Sequence, residues 1–183
     1  MVKIVVGLGN IGEKYDNTRH NLGFMFLDYL SKSLDISIDK KMTKSKIGEV
    51  IFKKEKIIFL KPETYMNLSG EAVVEIKNFY KVEDKDIIII YDDIDIEFGE
   101  IKYKESSSSG SHNGMKNILQ LLKTNKIARI KIGIGGIKKD YENITDFVLN
   151  KFTKEEKSKL PNIFDKTNNK LKEFLLNKTK KVD

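Results

Sequence analysis

His20 is one of only two histidines in the chain, and it stands between Arg19 and Asn21. Imidazole titrates near neutral pH, so a histidine that reaches solvent can serve as a base. A carboxylate on its second nitrogen would fix its tautomer and stabilise the imidazolium. Asp92 is the candidate for that partner, in the acid-rich Asp92-Asp93-Ile94-Asp95. Asn10, Asn67 and Asn113 add three amides, each able to donate to a developing oxyanion, hold a peptide backbone or place a water. No serine lies in a G-x-S-x-G frame, so water is the expected nucleophile if the site hydrolyses its substrate. Capping or packing at helix starts is the plain alternative for His20, Asn67, His112 and Asn113, and an acidic turn is the alternative for Asp92.

The elements that would carry these residues follow from the sequence pattern. Residues 15–21 lack a hydrophobic period and read as a loop. Leu22, Met25, Phe26, Tyr29 and Leu30 then fall on one helical face, so His20 sits where loop becomes helix, in a helix over 20–33. Val2 to Leu8 is a strand candidate. It leads into Gly7-Leu-Gly-Asn-Ile-Gly12, a match to G-x-G-x-x-G. A dinucleotide loop should open a helix at once, and here a polar loop follows, so the glycines read as a tight turn exposing Asn10 at a cleft mouth. Residues 40–46 read as a basic loop. Ile47–Lys53 and Lys56–Leu60 read as a hairpin joined at Lys54-Glu55 and closed by Pro62. A helix follows Met66-Asn-Leu-Ser-Gly70, with Asn67 as a plausible cap.

Asp86 to Tyr91 holds four consecutive isoleucines, a run suited to a strand covered on both faces. Its end delivers Asp92, Asp93 and Asp95 where open α/β sheets place functional groups. Ile101 to Lys104 is a short strand with Lys102 and Lys104 on one side. A serine loop, Ser106 to Ser111, precedes a helix with Met115, Ile118, Leu119 and Leu122 inward. Ala128 to Ile134 is a further strand, and the last helix runs from Leu160 to Asn177. This order predicts an α/β, single-domain three-layer sandwich: a mixed, twisted β-sheet with helices on both faces.

Composition narrows the class. The 183 residues suit one domain. With no cysteine, disulfides and thiolate chemistry are excluded. No apolar run reaches membrane-span length and the N-terminus lacks a signal-peptide pattern, so the expectation is a cytoplasmic protein without a membrane partner. The net charge is +7, and arginine stands only at 19 and 129, so 32 of the 34 basic residues are lysine. The surplus suggests a polyanionic partner, although by itself a solvated helix face is the better reading of the lysines of 151–183.

Together these motifs resemble the bacterial-type peptidyl-tRNA hydrolases over nearly the whole chain. The resemblance rests on Val6-Gly-Leu-Gly-Asn-x-Gly12, Tyr15-x-x-Thr-Arg-His-Asn-x-Gly23 and Pro62-x-Thr-Tyr-Met-Asn-Leu-Ser-Gly70. It continues in Asp92-Asp-x-Asp95, His112-Asn-Gly-Met-Lys-Asn117 and Lys131-Ile-Gly-Ile-Gly135. It implies an enzyme that cleaves the ester between a peptide's carboxyl end and the 3′-terminal ribose of tRNA. No metal and no cofactor are implied. His20 would be the general base and Asp92 its orienting partner. Asn10 and Asn67 would hold the 3′ end and peptide, Tyr15 and Met66 would line the cleft, and Asn113 would position water or peptide. Lys102, Lys104 and Lys131 would meet tRNA phosphates, with salt-sensitive binding. The implied molecule is a monomeric single domain, 1–183, with basic C-terminal helices (about 153–180) packed beside the cleft. Ser106–Ser109 and Ser111 stand where the family usually has glycines, which leaves the contacts of that loop open. Two other classes compete: a metal-dependent phosphoesterase built on Asp92, Asp93 and Asp95, and a non-catalytic RNA-binding module.

Overall fold

The computed structural model describes residues 1–136 and 143–177. Among these residues, seven strands form one sheet: β1 (Val2–Gly7), β2 (Lys40–Met42), β3 (Ser45–Phe52), β4 (Glu55–Pro62), β5 (Ile87–Glu97), β6 (Ile101–Lys104) and β7 (Ala128–Gly135). Their order is β2-β3-β4-β1-β5-β7-β6. β4, β1, β5 and β7 run parallel, while β2, β3 and β6 are antiparallel to their neighbours. The sheet is therefore mixed, as the sequence pattern predicts. The parallel strands carry the fully apolar runs, because both of their faces are covered.

Helices α1 (Leu22–Leu34) and α5 (Lys154–Asn177) cover one face, and α2 (Ser69–Tyr80) and α3 (Asn113–Leu122) the other. The first core joins Val5, Ile88, Ile90 and Ile130 to Phe26, Leu27, Phe164 and Leu171. The second joins Ile4, Val6, Ile89 and Tyr91 to Val73, Ile76, Met115 and Ile118. Alternate residues of one strand thus feed opposite cores, as the two-residue period demands. The result is three layers. Gly23 allows α1 to lie directly on the end of β1, since a Cβ there would stand 2.3 Å from the Leu8 nitrogen. That close approach accounts for glycines around β1 without a bound dinucleotide.

Several elements differ from expectation. Lys40–Met42 is a strand, not a loop; it is a short charged edge strand, a form that gives almost no hydrophobic signal. The hairpin turns at Lys53-Lys54, one residue earlier than expected. Both have positive φ (47° and 66°), the geometry of a tight two-residue turn without its usual glycine. β5 runs on to Glu97, so Asp92 and Asp93 lie within the strand, opposite Ile132 and Gly133 of β7, rather than in a turn beyond it. Charged residues concealed this extension. Helix α4 (Ile144–Leu149) has no counterpart in the periodicity analysis. α5 begins six residues before Leu160 and contains Pro161. Its start is a reciprocal cap: the Glu156 N–H donates to Thr153 Oγ1 at 3.2 Å, and the Thr153 N–H to Glu156 Oε2 at 2.7 Å.

Candidate active site

The strand order places β1 and β5 side by side. The chain leaves β1 toward β4 through α1 and reaches β5 through α2, so a crevice opens at the carboxyl ends of these strands. Around it lie the loop after β1, a 3-10 turn over Arg19–Asn21, a second one over Met66–Leu68, the end of β5 and the start of α3.

Asp92 is the hub. It is 2 % exposed and accepts from two imidazoles. His20 Nδ1 lies 2.9 Å from Oδ2 and 3.1 Å from Oδ1, and His112 Nε2 lies 3.1 Å from Oδ1. The Met115 N–H donates to His112 Nδ1 at 3.2 Å, making His112 the cap of α3. His112 therefore carries its proton on Nε2. An ionised Asp92 likewise requires the proton of neutral His20 on Nδ1. That leaves His20 Nε2 with a lone pair and no hydrogen-bond partner among the described residues.

Electrostatics follow from this arrangement. Burial raises the carboxyl pKa of Asp92, but the two histidines with their hydrogen bonds outweigh it and hold it well below the carboxylate range. Burial pulls the His20 pKa down, while the charge and hydrogen bonds of Asp92 push it up by more; the net shift is upward. Burial dominates at His112, whose pKa falls, and the neutral ring stays a donor. Its ring lies 4.8 Å from that of His20 and 4.6 Å from that of Tyr91.

The asparagines differ in what they offer. Asn10 is buried rather than exposed at a cleft mouth. The Met66 N–H donates to its Oδ1 at 2.7 Å, leaving Nδ2 as the group available to a ligand. Asn21 latches the Asn10 backbone on both sides: the Asn10 N–H donates to its Oδ1 at 2.8 Å, and its Nδ2 donates to the Asn10 carbonyl at 3.0 Å. Asn67 does not cap α2. The 3-10 turn intervenes, the helix starts at Ser69 without a side-chain cap, and Asn67 is exposed. Asn113 is exposed at the first turn of α3 and faces the same pocket as His20. Met66, 4 % exposed, belongs to the second core and supports the crevice from beneath instead of lining it openly. A Cβ at Gly114 would stand 2.5 Å from its sulfur, so Met66 joins the Asn10 limb to the His112 limb. Tyr15 is half-buried and meets Tyr65 edge-on, with ring centroids 6.4 Å apart.

A cavity of about 140 Å³ opens beside the imidazole. His20, Asp92, Asp93, Ser109, Ser111, His112 and Asn113 form its polar side, and Ile94, Ile144, Thr145, Val148 and Leu149 form a mainly apolar wall. This wall comes largely from α4, and no hydrophobic period in the sequence marks it. The second imidazole on Asp92 is likewise not expected from sequence, although only two histidines exist to be paired.

The acids do not converge as a cation cage. Both oxygens of Asp92 face histidines. Asp93 accepts from the Asp95 N–H at 2.9 Å through Oδ1 and pairs with Lys131 at 2.9 Å through Oδ2. His20, Asp92 and His112 do bring ligand atoms within 4.8 Å of one another. The backbone bond to His112 Nδ1, however, leaves its Nε2 as a donor toward Asp92, not as a lone pair toward an ion.

The three lysines assigned to phosphate part company. Lys102 and Lys104 are exposed on the edge strand β6. Lys131 is opposite Lys102 in register, yet its side chain is only 14 % exposed and is paired with Asp93.

Comparison with known proteins identifies the family of the chain. The family model described as peptidyl-tRNA hydrolase matches residues 4–182. A peptidyl-tRNA hydrolase of Clostridium botulinum (strain Alaska E43 / Type E3) is 45 % identical over 172 residues, covering 94 % of this chain and 88 % of that protein. One of Alkaliphilus oremlandii (strain OhILAs) is 48 % identical over 153 residues, covering 84 % and 82 %. The crystal structure of peptidyl-tRNA hydrolase from Acinetobacter baumannii superposes with a TM-score of 0.88 at 31 % identity, covering 97 % of this chain and 90 % of that one. With a matching family model and such relatives along almost all of its length, this chain belongs to the peptidyl-tRNA hydrolase family.

Proposed function

We propose that the pocket beside His20 hydrolyses the ester between a peptide and the 3′-terminal ribose of tRNA, with water as the nucleophile. The observation that carries this reading is the polarity of His20: Nδ1 is anchored on buried Asp92 and Nε2 is left unpaired among the described residues. Water attacks the ester carbonyl and gives its proton to Nε2. The C–O bond to the ribose then breaks, and the 3′ oxygen takes that proton, leaving a free peptide acid and an intact tRNA. Asp92 orients the ring and stabilises the imidazolium. The Asn10 Nδ2 and the Asn113 amide supply donors for the oxyanion or the peptide backbone, Asn67 and Tyr15 shape the approach, and Met66 supports it from beneath. The exposed Lys102 and Lys104 meet backbone phosphates of the acceptor stem, and Lys131 acts mainly on Asp93.

Residues 1–183 act together as a single monomeric hydrolase domain in the cytoplasm, where translation aborts and tRNA is recycled. The carboxylate bonding at Asp92 and Asp93 favours this over the metal phosphoesterase, and the His–Asp pair favours it over a simple RNA-binding module. The test is release of an N-blocked amino acid from its tRNA by the purified protein, with and without EDTA. Full release in EDTA supports the assignment; release that needs a divalent cation, or binding with no release, overturns it.

A further inference from the structure

In a chain with 32 lysines, arginine is kept at only two positions. Each arginine gathers three backbone carbonyls, but only those of Arg19 come from the segment that walls the pocket. Arg129 donates to Ser108, Asn125 and Ile127. Arg19, adjacent to the base, donates from one nitrogen to the carbonyls of Phe147 (3.4 Å), Asn150 (3.4 Å) and Lys151 (3.3 Å). Its other terminal nitrogen meets both oxygens of Glu156, at 3.0 and 2.8 Å. The guanidinium lies 4.3 Å from the Phe147 ring centroid and 5.5 Å from that of Phe152. Its own backbone N–H donates to the Asn150 carbonyl, and the Phe152 N–H donates to the Asn17 carbonyl.

These contacts fall on the end of α4 and the start of α5. The pocket's apolar wall is the other side of α4: Ile144, Val148 and Leu149. α4 has only six residues, none fully buried, and only Phe147 and Val148 pack, partly buried, against the first core, so core packing holds it weakly. A lysine could not replace this fork, because a point charge serves neither a planar stack nor two separate groups of acceptors at once. We propose that Arg19 is a positioning residue that hangs the α4 wall over the pocket, tying substrate binding to the segment that carries the base. The wall would then take the side chain of the esterified, C-terminal amino acid of the peptide.

This inference rests on the hydrolase reading, and the test separates the two. Arg19→Lys keeps the charge and loses the fork. With N-blocked aminoacyl-tRNA, it is expected to raise KM by about fivefold or more while kcat stays within about twofold, and the pH profile is unmoved. Amides of 144–152 should exchange about tenfold faster, with sheet amides unchanged. Glu156→Gln, which lies outside the pocket, should shift KM and exchange the same way by a smaller factor; it serves also if Arg19→Lys folds poorly. Unchanged KM and unchanged exchange in an active protein would overturn the positioning role. A fall in kcat with a displaced pH profile would overturn it too, by showing that Arg19 acts on His20 instead. An inactive wild-type protein would instead sink the hydrolase assignment itself.

Discussion

Asp92 carries two imidazoles, and only one of them can act as a base. His112 gives one nitrogen to a backbone N–H and the other to Asp92. His20 gives only Nδ1. The raised pKa of His20 sets the direction of the pH dependence. The base must be neutral, so turnover should rise with pH through a midpoint above the ordinary imidazole value of about 6.5. The stabilising contribution of the raised His20 pKa runs the other way. It is complete below about 6.5, the value in the unfolded chain, and is lost as pH rises through the higher folded value. Asp92→Asn removes the groups that raise the pKa and leaves burial, which lowers it. The midpoint of a pH–rate profile should therefore move to lower pH, and kcat should fall by roughly 10²- to 10⁴-fold. An unmoved midpoint in that variant would show that Asp92 does not set the base.

The segments around the site are held by single side chains more than by core packing, and these are the contacts that sequence periodicity could not show. Asn21 is the clearest case. It binds both the N–H and the C=O of buried Asn10, so Asn21→Ala orphans two backbone groups. Chemical denaturation should show a loss of about 2–6 kcal/mol, because each of the two buried unpaired groups costs about 1–3 kcal/mol. The strands with all-apolar runs and the helices α1, α2 and α3 were readable from spacing, since their buried faces impose a period. β2, the end of β5 and α4 were not, because each is short or charged and is located by contacts distant in sequence. The roles within the site were readable as residue types, yet the tautomer of His112 and the pairing of Lys131 with Asp93 needed coordinates. That pairing has a consequence on the edge strand. Lys102→Ala or Lys104→Ala should each flatten the plot of log affinity for tRNA against log salt by roughly 0.7–0.9, and Lys131→Ala by clearly less. Equal slopes in all three variants would remove the distinction.

At the scale of the molecule, Lys3 joins the two ends of the chain across the sheet. It is fully buried on β1, pairs with Glu55 of β4 at 2.6 Å and donates to the Leu175 carbonyl of α5 at 2.9 Å. Lys3→Ala leaves that acid and the end of the last helix without their partner. A loss of about 3–5 kcal/mol is expected in denaturant unfolding, with α5 loosened first in hydrogen exchange. No helix among the described residues is long and apolar enough to cross a membrane. The +7 charge fits attraction to a polyanion, as the proposed tRNA substrate requires.

The most direct test of that chemistry is a single-turnover experiment with His20→Ala on N-blocked aminoacyl-tRNA, with tRNA affinity measured in parallel. The account predicts near-wild-type affinity and release slowed by roughly 10²- to 10⁴-fold at neutral pH. Release at the wild-type rate would contradict it.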